Sequence, residues 1–270
     1  VRTPPSCLDP RPWPPEPGAG VPWRGKSGAF PTALTLLVGL AGCAPPPLAG
    51  PTDLTAATAP AEDRSRISGL FLRGEELVRR GDLEGAVATY RAALAIAQGL
   101  AAGDPANAEW QRDVGASHDR IGYVLLLRGD LAGAHEAYGA ALAIAEALVA
   151  RDPANTEWQR DLAVSRLKIG DVHRARGDLA GALEAFRKAL AIHEALARKD
   201  PARTEWQRDL IVANVRLAAL AAQEGRNAEA RARYGEALRI ARALEATGRL
   251  APVDAWMPAD LERRLAALPP

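Results

Sequence analysis

The chain is poor in the residues that build sheets, thiol chemistry or cofactor sites. Cysteine occurs twice in 270 residues, at Cys7 and Cys43. From Asp63 onward there is therefore no disulfide, no thiol nucleophile and no cysteine metal site. Aromatic residues make up 5%, and β-branched runs are almost absent, so no stretch reads as a sheet core. Neither charge prevails, with 34 Lys and Arg against 33 Asp and Glu. That balance removes the electrostatic pull that phosphate-backbone binding needs and argues against a nucleic-acid partner. There is no Gly-rich phosphate loop, nucleophile elbow, His-Glu-x-x-His or paired-cysteine motif. The carboxylates sit at helix caps and on solvated faces, where acid–base work is not expected. The expectation is a chain without catalytic residues, metal or cofactor. No apolar run reaches the ~20 residues of a membrane span.

What the chain does have is repetition. The segment Asp104-Pro105-Ala106-Asn107-Ala108-Glu109-Trp110-Gln111-Arg112-Asp113 returns over 152–161 and again, with small changes, over 200–209. Gly81-Asp82-Leu83, Gly129-Asp130-Leu131, Gly177-Asp178-Leu179 and a degraded Gly225-Arg226-Asn227 keep the same step of about 48 residues. A period of that length signals a solenoid. It divides the chain into units 63–103, 104–151, 152–199 and 200–247, with a closing segment 248–270. The four histidines, His118, His135, His173 and His193, fall at different places in their units. A ligand set serving every unit would not scatter this way.

Each unit holds two amphipathic stretches rich in Ala, Leu, Arg and Glu, all good helix formers. Trp158, Leu162, Ser165, Ile169 and Val172 step by four and three along one helical face, and the other copies keep that face. Thr156 with Gln159, and Thr204 with Gln207, have capping-box spacing and predict the helix start. Asp-Pro just upstream ends the preceding helix. The second stretch follows Gly177 with Asp178 as N-cap, and buries Leu179, Ala182, Phe186, Ala189, Leu190 and Leu196. Each helix should run about 20 residues, or ~30 Å.

One pattern recurs in register: Gly74, Ala86, Tyr90, Ala93; Gly122, Ala134, Tyr138, Ala141; Gly170, Ala182, Phe186, Ala189; and Ala218, Ala230, Tyr234, Ala237. It resembles the tetratricopeptide repeat, over about 63–246. The resemblance implies an all-α, right-handed superhelical solenoid of about four helix-turn-helix hairpins with a C-terminal capping helix. Three departures stand out. The family's 34-residue period is lengthened, its first-helix Trp is replaced by Leu70, His118, Arg166 and Asn214, and its closing Pro is missing. Trp110, Trp158 and Trp206 lie in the added turns and are expected to pack them together. The first copy lacks the Trp extension, and 258–268 reads as one more short helix; both suit capping elements.

Residues 1–20 are Pro-rich and cannot bury enough apolar surface to order themselves. Arg24 and Lys26 then precede an apolar run from Ala33 to Leu40, which closes with Leu40-Ala41-Gly42-Cys43. That layout is a secretory signal's, and its end resembles the lipobox of bacterial lipoproteins. The resemblance implies that Cys43 is lipidated and that residues 1–42 are a leader, whose start is either Val1 or Val21. Ala44 after the cysteine points to the outer membrane. Residues 43–62 read as a flexible tether. The alternative is a chance apolar stretch in an Ala- and Leu-rich chain.

Comparing copies separates scaffold from the rest. Gln111-Arg112-Asp113 recurs and so belongs to caps and ion pairs. The first helices diverge, and in the tetratricopeptide family those helices line the concave groove that takes peptides or partner helices. Phe71, Glu75, Asp119, Tyr123, Leu126, Leu167, Asp171, Arg174 and Val215 lie opposite the core stripe and are the candidate groove residues. The other reading is that some of them pack between repeats. The function expected is a non-enzymatic scaffold for a protein or peptide, anchored by lipid at the periplasmic face of the outer membrane. The alternative is a cytoplasmic adaptor whose first 60 residues are a disordered or mispredicted leader, and a third reading is an enzyme with no recognisable motif. Oligomeric state stays open.

Overall fold

The first helices α1 (Asp53–Arg79), α3 (Ala108–Leu127), α5 (Thr156–Ala175) and α7 (Thr204–Gln223) alternate with the second helices α2 (Leu83–Gly103), α4 (Leu131–Arg151), α6 (Leu179–Lys199) and α8 (Asn227–Ala246). A short 3-10 turn (Pro252–Asp254) and α9 (Met257–Ala267) close the chain. The computed structural model describes residues 53–269, and among them there is no strand. From α2 to α9 consecutive helices pack on one another in chain order, and α1 meets α2 where Gly74 and Phe71 face Tyr90, so the repeats, in the unit Thr58–Pro270, form an all-helical solenoid. No helix among the described residues is long and apolar enough to cross a membrane. Cys43, the leader and most of the expected tether lie outside the described residues.

The turn between the helices of a hairpin is chemically the same in three copies. Gly81, Gly129 and Gly177 take φ of 79°, 78° and 81°, a left-handed conformation that costs glycine little. The aspartate that follows caps the second helix: Asp82, Asp130 and Asp178 accept the N–H of Gly85, Gly133 and Gly181 at 2.9 Å. The fourth turn keeps Gly225 but has Arg226 as cap, with no side-chain bond.

Two boundaries differ from the expectation. The helices begin at Thr156 and Thr204, but the cap of α5 is Asn155, which accepts from the N–H groups of Glu157 and Trp158 at 3.1 and 3.2 Å. Asn107 does the same for α3. The amide oxygen, one residue earlier, satisfies the free N–H groups and leaves the threonine inside the first turn. Arg203 replaces that asparagine in front of α7 and makes no capping bond. The second difference is that α1 starts at Asp53, so residues 53–62 of the expected tether are helical. The segment is Ala-rich, and extending an existing helix costs far less than nucleating one.

The core follows the repeated small–aromatic pattern. Ala86, Ala134, Ala182 and Ala230 are all 0% exposed, and Tyr90, Tyr138, Phe186 and Tyr234 are 0–4% exposed. A Cβ placed on Gly170 would stand 2.4 Å from Phe186 Cε1, and one on Gly74 would stand 2.2 Å from Tyr90 Cε1. Glycine is required there because the ring lies against the first helix's backbone. Each buried ring contributes about 1.5–3 kcal/mol.

The stripe Trp110, Val114, Ser117, Ile121, Val124 packs α3 onto the α2 of the preceding copy, with Val114 among Ala93, Ala97 and Ala101. The same positions in α1 are Glu62, Arg66, Gly69, Arg73 and Glu76, the first four exposed. A charged stripe suits a face that meets solvent. At the other end α9 covers α8 with Met257 and Leu261, both fully buried. The tryptophans of the added turns divide: Trp206 is 3% exposed, whereas Trp110 and Trp158 are half-buried. Arg64, Arg151 and Arg203 lie over Trp110, Trp158 and Trp206, at 5.6, 6.0 and 4.5 Å from the ring centroids.

Candidate functional site

The first helices are joined across copies by two sets of ion pairs that run in opposite directions. In one set, the arginine of each Gln-Arg-Asp reaches forward to the next copy's aspartate. Arg112 Nε lies 2.7 Å from Asp161 Oδ2, and Arg160 binds Asp209, with Nη2 to Oδ1 at 3.1 Å. Arg64, at the equivalent place in α1, lies 3.4 Å from Asp113 and 2.7 Å from Glu109. Asp254 of the 3-10 turn receives Arg208 at 3.0 Å. In the other set a cation reaches back to the preceding copy: Arg120 to Glu75 at 3.6 Å, Lys168 to Asp119 at 3.2 Å, and Arg216 to Asp171 at 2.8 Å.

These pairs account for the candidate carboxylates. Glu75, Asp119 and Asp171 each face a cation of the next copy, so they brace neighbouring helices. Burial pushes the Glu75 carboxyl above its ordinary range, with Arg120 pulling the other way. Burial raises Asp113 and Asp161 too, against Arg64 and Arg112 respectively. The cations Arg120, Lys168 and Arg216 are absent from the candidate set, although their recurrence at one repeat position was visible in the sequence.

The apolar candidates separate by depth. Leu167 and Val215 are each 4% exposed. Leu167 packs with Ala163, Phe186 and Val212, so the expectation that these two face an open groove is corrected. At the crossing of α5 with α7 that position is enclosed and joins the core. Phe71 is half-buried: its ring meets the edge of Tyr90 at 6.3 Å between centroids, and Arg120 lies over it at 3.9 Å. Tyr123 and Leu126 are half-buried against the core of the first two copies. Burial raises the Tyr123 phenol, and it carries the inner Tyr90 phenol up to about 12. Tyr123 and Leu167 belong to different apolar clusters and do not form one patch. Arg174 is exposed. Two residues outside the candidate set are also open: Leu72, 62% exposed, and Leu127, 37% exposed. Leu72 occupies the place of Arg120, Lys168 and Arg216. Among the described residues no earlier copy presents a carboxylate to it.

Among the described residues no group of three His, Cys, Asp or Glu side chains could hold a metal ion. What the face offers is half-open apolar and aromatic surface in the first two copies, and braced charge beyond them. That is a surface for contact.

No curated protein matches this sequence. Among solved structures, BtubC (BKLC) from P. vanneervenii has a TM-score of 0.62 at 17% identity, over 79% of this chain and 76% of that one. A Podosopora anserina kinesin light chain structure with nearly identical TPR-like repeats has a TM-score of 0.47 at 17% identity, over 77% and 95% of the two chains. At 17% identity the likeness to BtubC is one of fold. In sequence, the tetratricopeptide repeat family matches residues 162–200, the span of the third hairpin from Leu162 in α5 to the end of α6. The sequence match is thus confined to one hairpin, and the likeness to the solved structure is that of a helical-repeat fold.

Proposed function

We propose that the chain is a non-enzymatic scaffold that holds a protein or peptide segment along its first helices, and that it is tethered by lipid at Cys43 on the periplasmic face of the outer membrane. The observation that carries the first part is the division between copies. The rings, small residues, caps and forward ion pairs recur, while Leu72, Tyr123, Leu126 and Leu127 do not and stay open or half-open. Tyrosine is among the residues enriched at binding hot spots, and open leucines beside it add apolar surface that a partner would cover. The tether reading rests on the residues before Asp53: the basic pair, the apolar run and Leu40-Ala41-Gly42-Cys43.

The test has two arms. Tyr123→Ala and Leu126→Ala should each weaken capture of the partner from an envelope extract by more than ~1 kcal/mol, with helical signal near wild type. Capture unchanged in both variants would remove the groove reading. In the second arm, metabolic labelling with a lipid precursor should mark the wild type and not Cys43→Ala. An unlabelled wild type would favour the cytoplasmic adaptor.

A further inference from the structure

At each junction between hairpins a second helix packs on the next first helix, and one pair of equivalent positions differs from junction to junction. Between the first and second copies the pair is Val87 and Leu125, 4% and 7% exposed and in one apolar cluster. Between the third and fourth it is Leu183 and Ala221. Between the second and third it is His135 on α4 and His173 on α5, with ring centroids 5.4 Å apart and planes at 81°. Two junctions show that the fold needs only apolar groups here, so the imidazoles are an addition to the scaffold.

The charged surroundings of the pair are one-sided. His173 Nδ1 lies 2.7 Å from Asp178 Oδ2, the carboxylate that caps α6. Glu184 of α6 also acts on His173, and Arg176 acts on Asp178. Lys188 pairs with Glu184. His135 Nδ1 is buried and has no hydrogen-bond partner.

We propose that the His135–His173 contact is a pH-sensitive joint between the second and third copies. The His173 Nδ1–H donates to Asp178 Oδ2. Imidazole is the side chain that ordinarily changes charge between pH 5 and 8. With both rings charged, two cations stand 5.4 Å apart, where like charges in a partly buried place repel strongly and push α4 from α5. The same joint is spanned by Arg112–Asp161 and Lys168–Asp119. Its loosening therefore alters the face between α3 and α5.

The repeats supply the control: His135→Val with His173→Leu recreates the Val87–Leu125 junction. Thermal unfolding of the intact chain at about pH 7.5 and about pH 5 is compared in wild type and this double variant. The wild-type midpoint should fall ~2–4 °C further on acidification than the variant's. Equal pH dependence overturns the proposal. Imidazole titration by NMR supplies a second reading on the folded wild type and single variants. Each ring's curve should move when the other ring is replaced, while His118 stays put; mutually independent curves overturn the joint as well.

Discussion

Arg208 Nε lies 3.0 Å from Asp254 Oδ2 and 3.2 Å from Oδ1, and this contact closes the forward series of ion pairs. The earlier rungs Arg112–Asp161 and Arg160–Asp209 span 49 residues, whereas this one spans 46. Here a 3-10 turn delivers the carboxylate. It supplies the charge that an aspartate of the next first helix supplies in the earlier rungs.

Because the Asp254 side chain is only 5% exposed, Arg208→Met should leave it buried without a counter-ion and cost ~3–5 kcal/mol. Arg208→Met with Asp254→Leu should cost much less. Denaturant unfolding gives the energies, and hydrogen exchange across α9 shows whether the loss frays the cap. Equal costs for the single and double variants would rule out this contact as the pin.

Gly170→Ala should destabilise by ~1–2 kcal/mol, because overpacking against Phe186 exceeds the ~1 kcal/mol that alanine gains in a helix. Adding Phe186→Leu should recover part of the loss. A Gly170→Ala chain as stable as wild type would mean that the Phe186 ring shifts without cost, as the pairing of Ala218 with Tyr234 in the fourth copy accommodates a methyl group.

The tryptophans should not be equivalent. Trp206, 3% exposed, should cost ~3–5 kcal/mol when cut to alanine. Half-buried Trp158 should cost distinctly less in the same denaturant series. The reverse order would contradict the packing of the added turns.

Leu167→Ala should lower stability by ~2–5 kcal/mol as a buried-leucine truncation does, with or without a partner present. Tyr123→Ala, on the half-open side, should shift the melt far less. Circular dichroism melts of the two variants side by side are sufficient to decide.

Asp161 gives a pH prediction. Burial raises its carboxyl above the ordinary value despite Arg112, so the folded state holds that proton more tightly than the unfolded chain does. The contribution is fully present below the ordinary aspartate value and is lost as pH rises through the raised one. Wild type should therefore lose ground to Asp161→Asn across that window as pH increases. Paired denaturant curves along a pH series measure it; a gap that moves in wild type's favour with rising pH would contradict the direction.

The local rules were legible in the residues themselves. Helix lengths, the Gly177-Asp178 turn and the Ala182–Phe186–Ala189 core follow from chemistry that acts within a few residues, and repetition across copies separates that signal from chance. The cap at Asn155 was also there to be found, since asparagine one place before Thr156 is the stronger acceptor in that position. What only the tertiary structure decided is the depth of each first-helix residue. Leu167 and Tyr123 sit in similar runs, yet one is enclosed by α6 and α7 and the other stays half-open. The difference lies in how neighbouring hairpins cross, which no single helix encodes. The same holds for the partners of Glu75, Asp119 and Asp171: each pairs with a cation about 45–49 residues away, and only the stacking of one copy on the next brings those charges together.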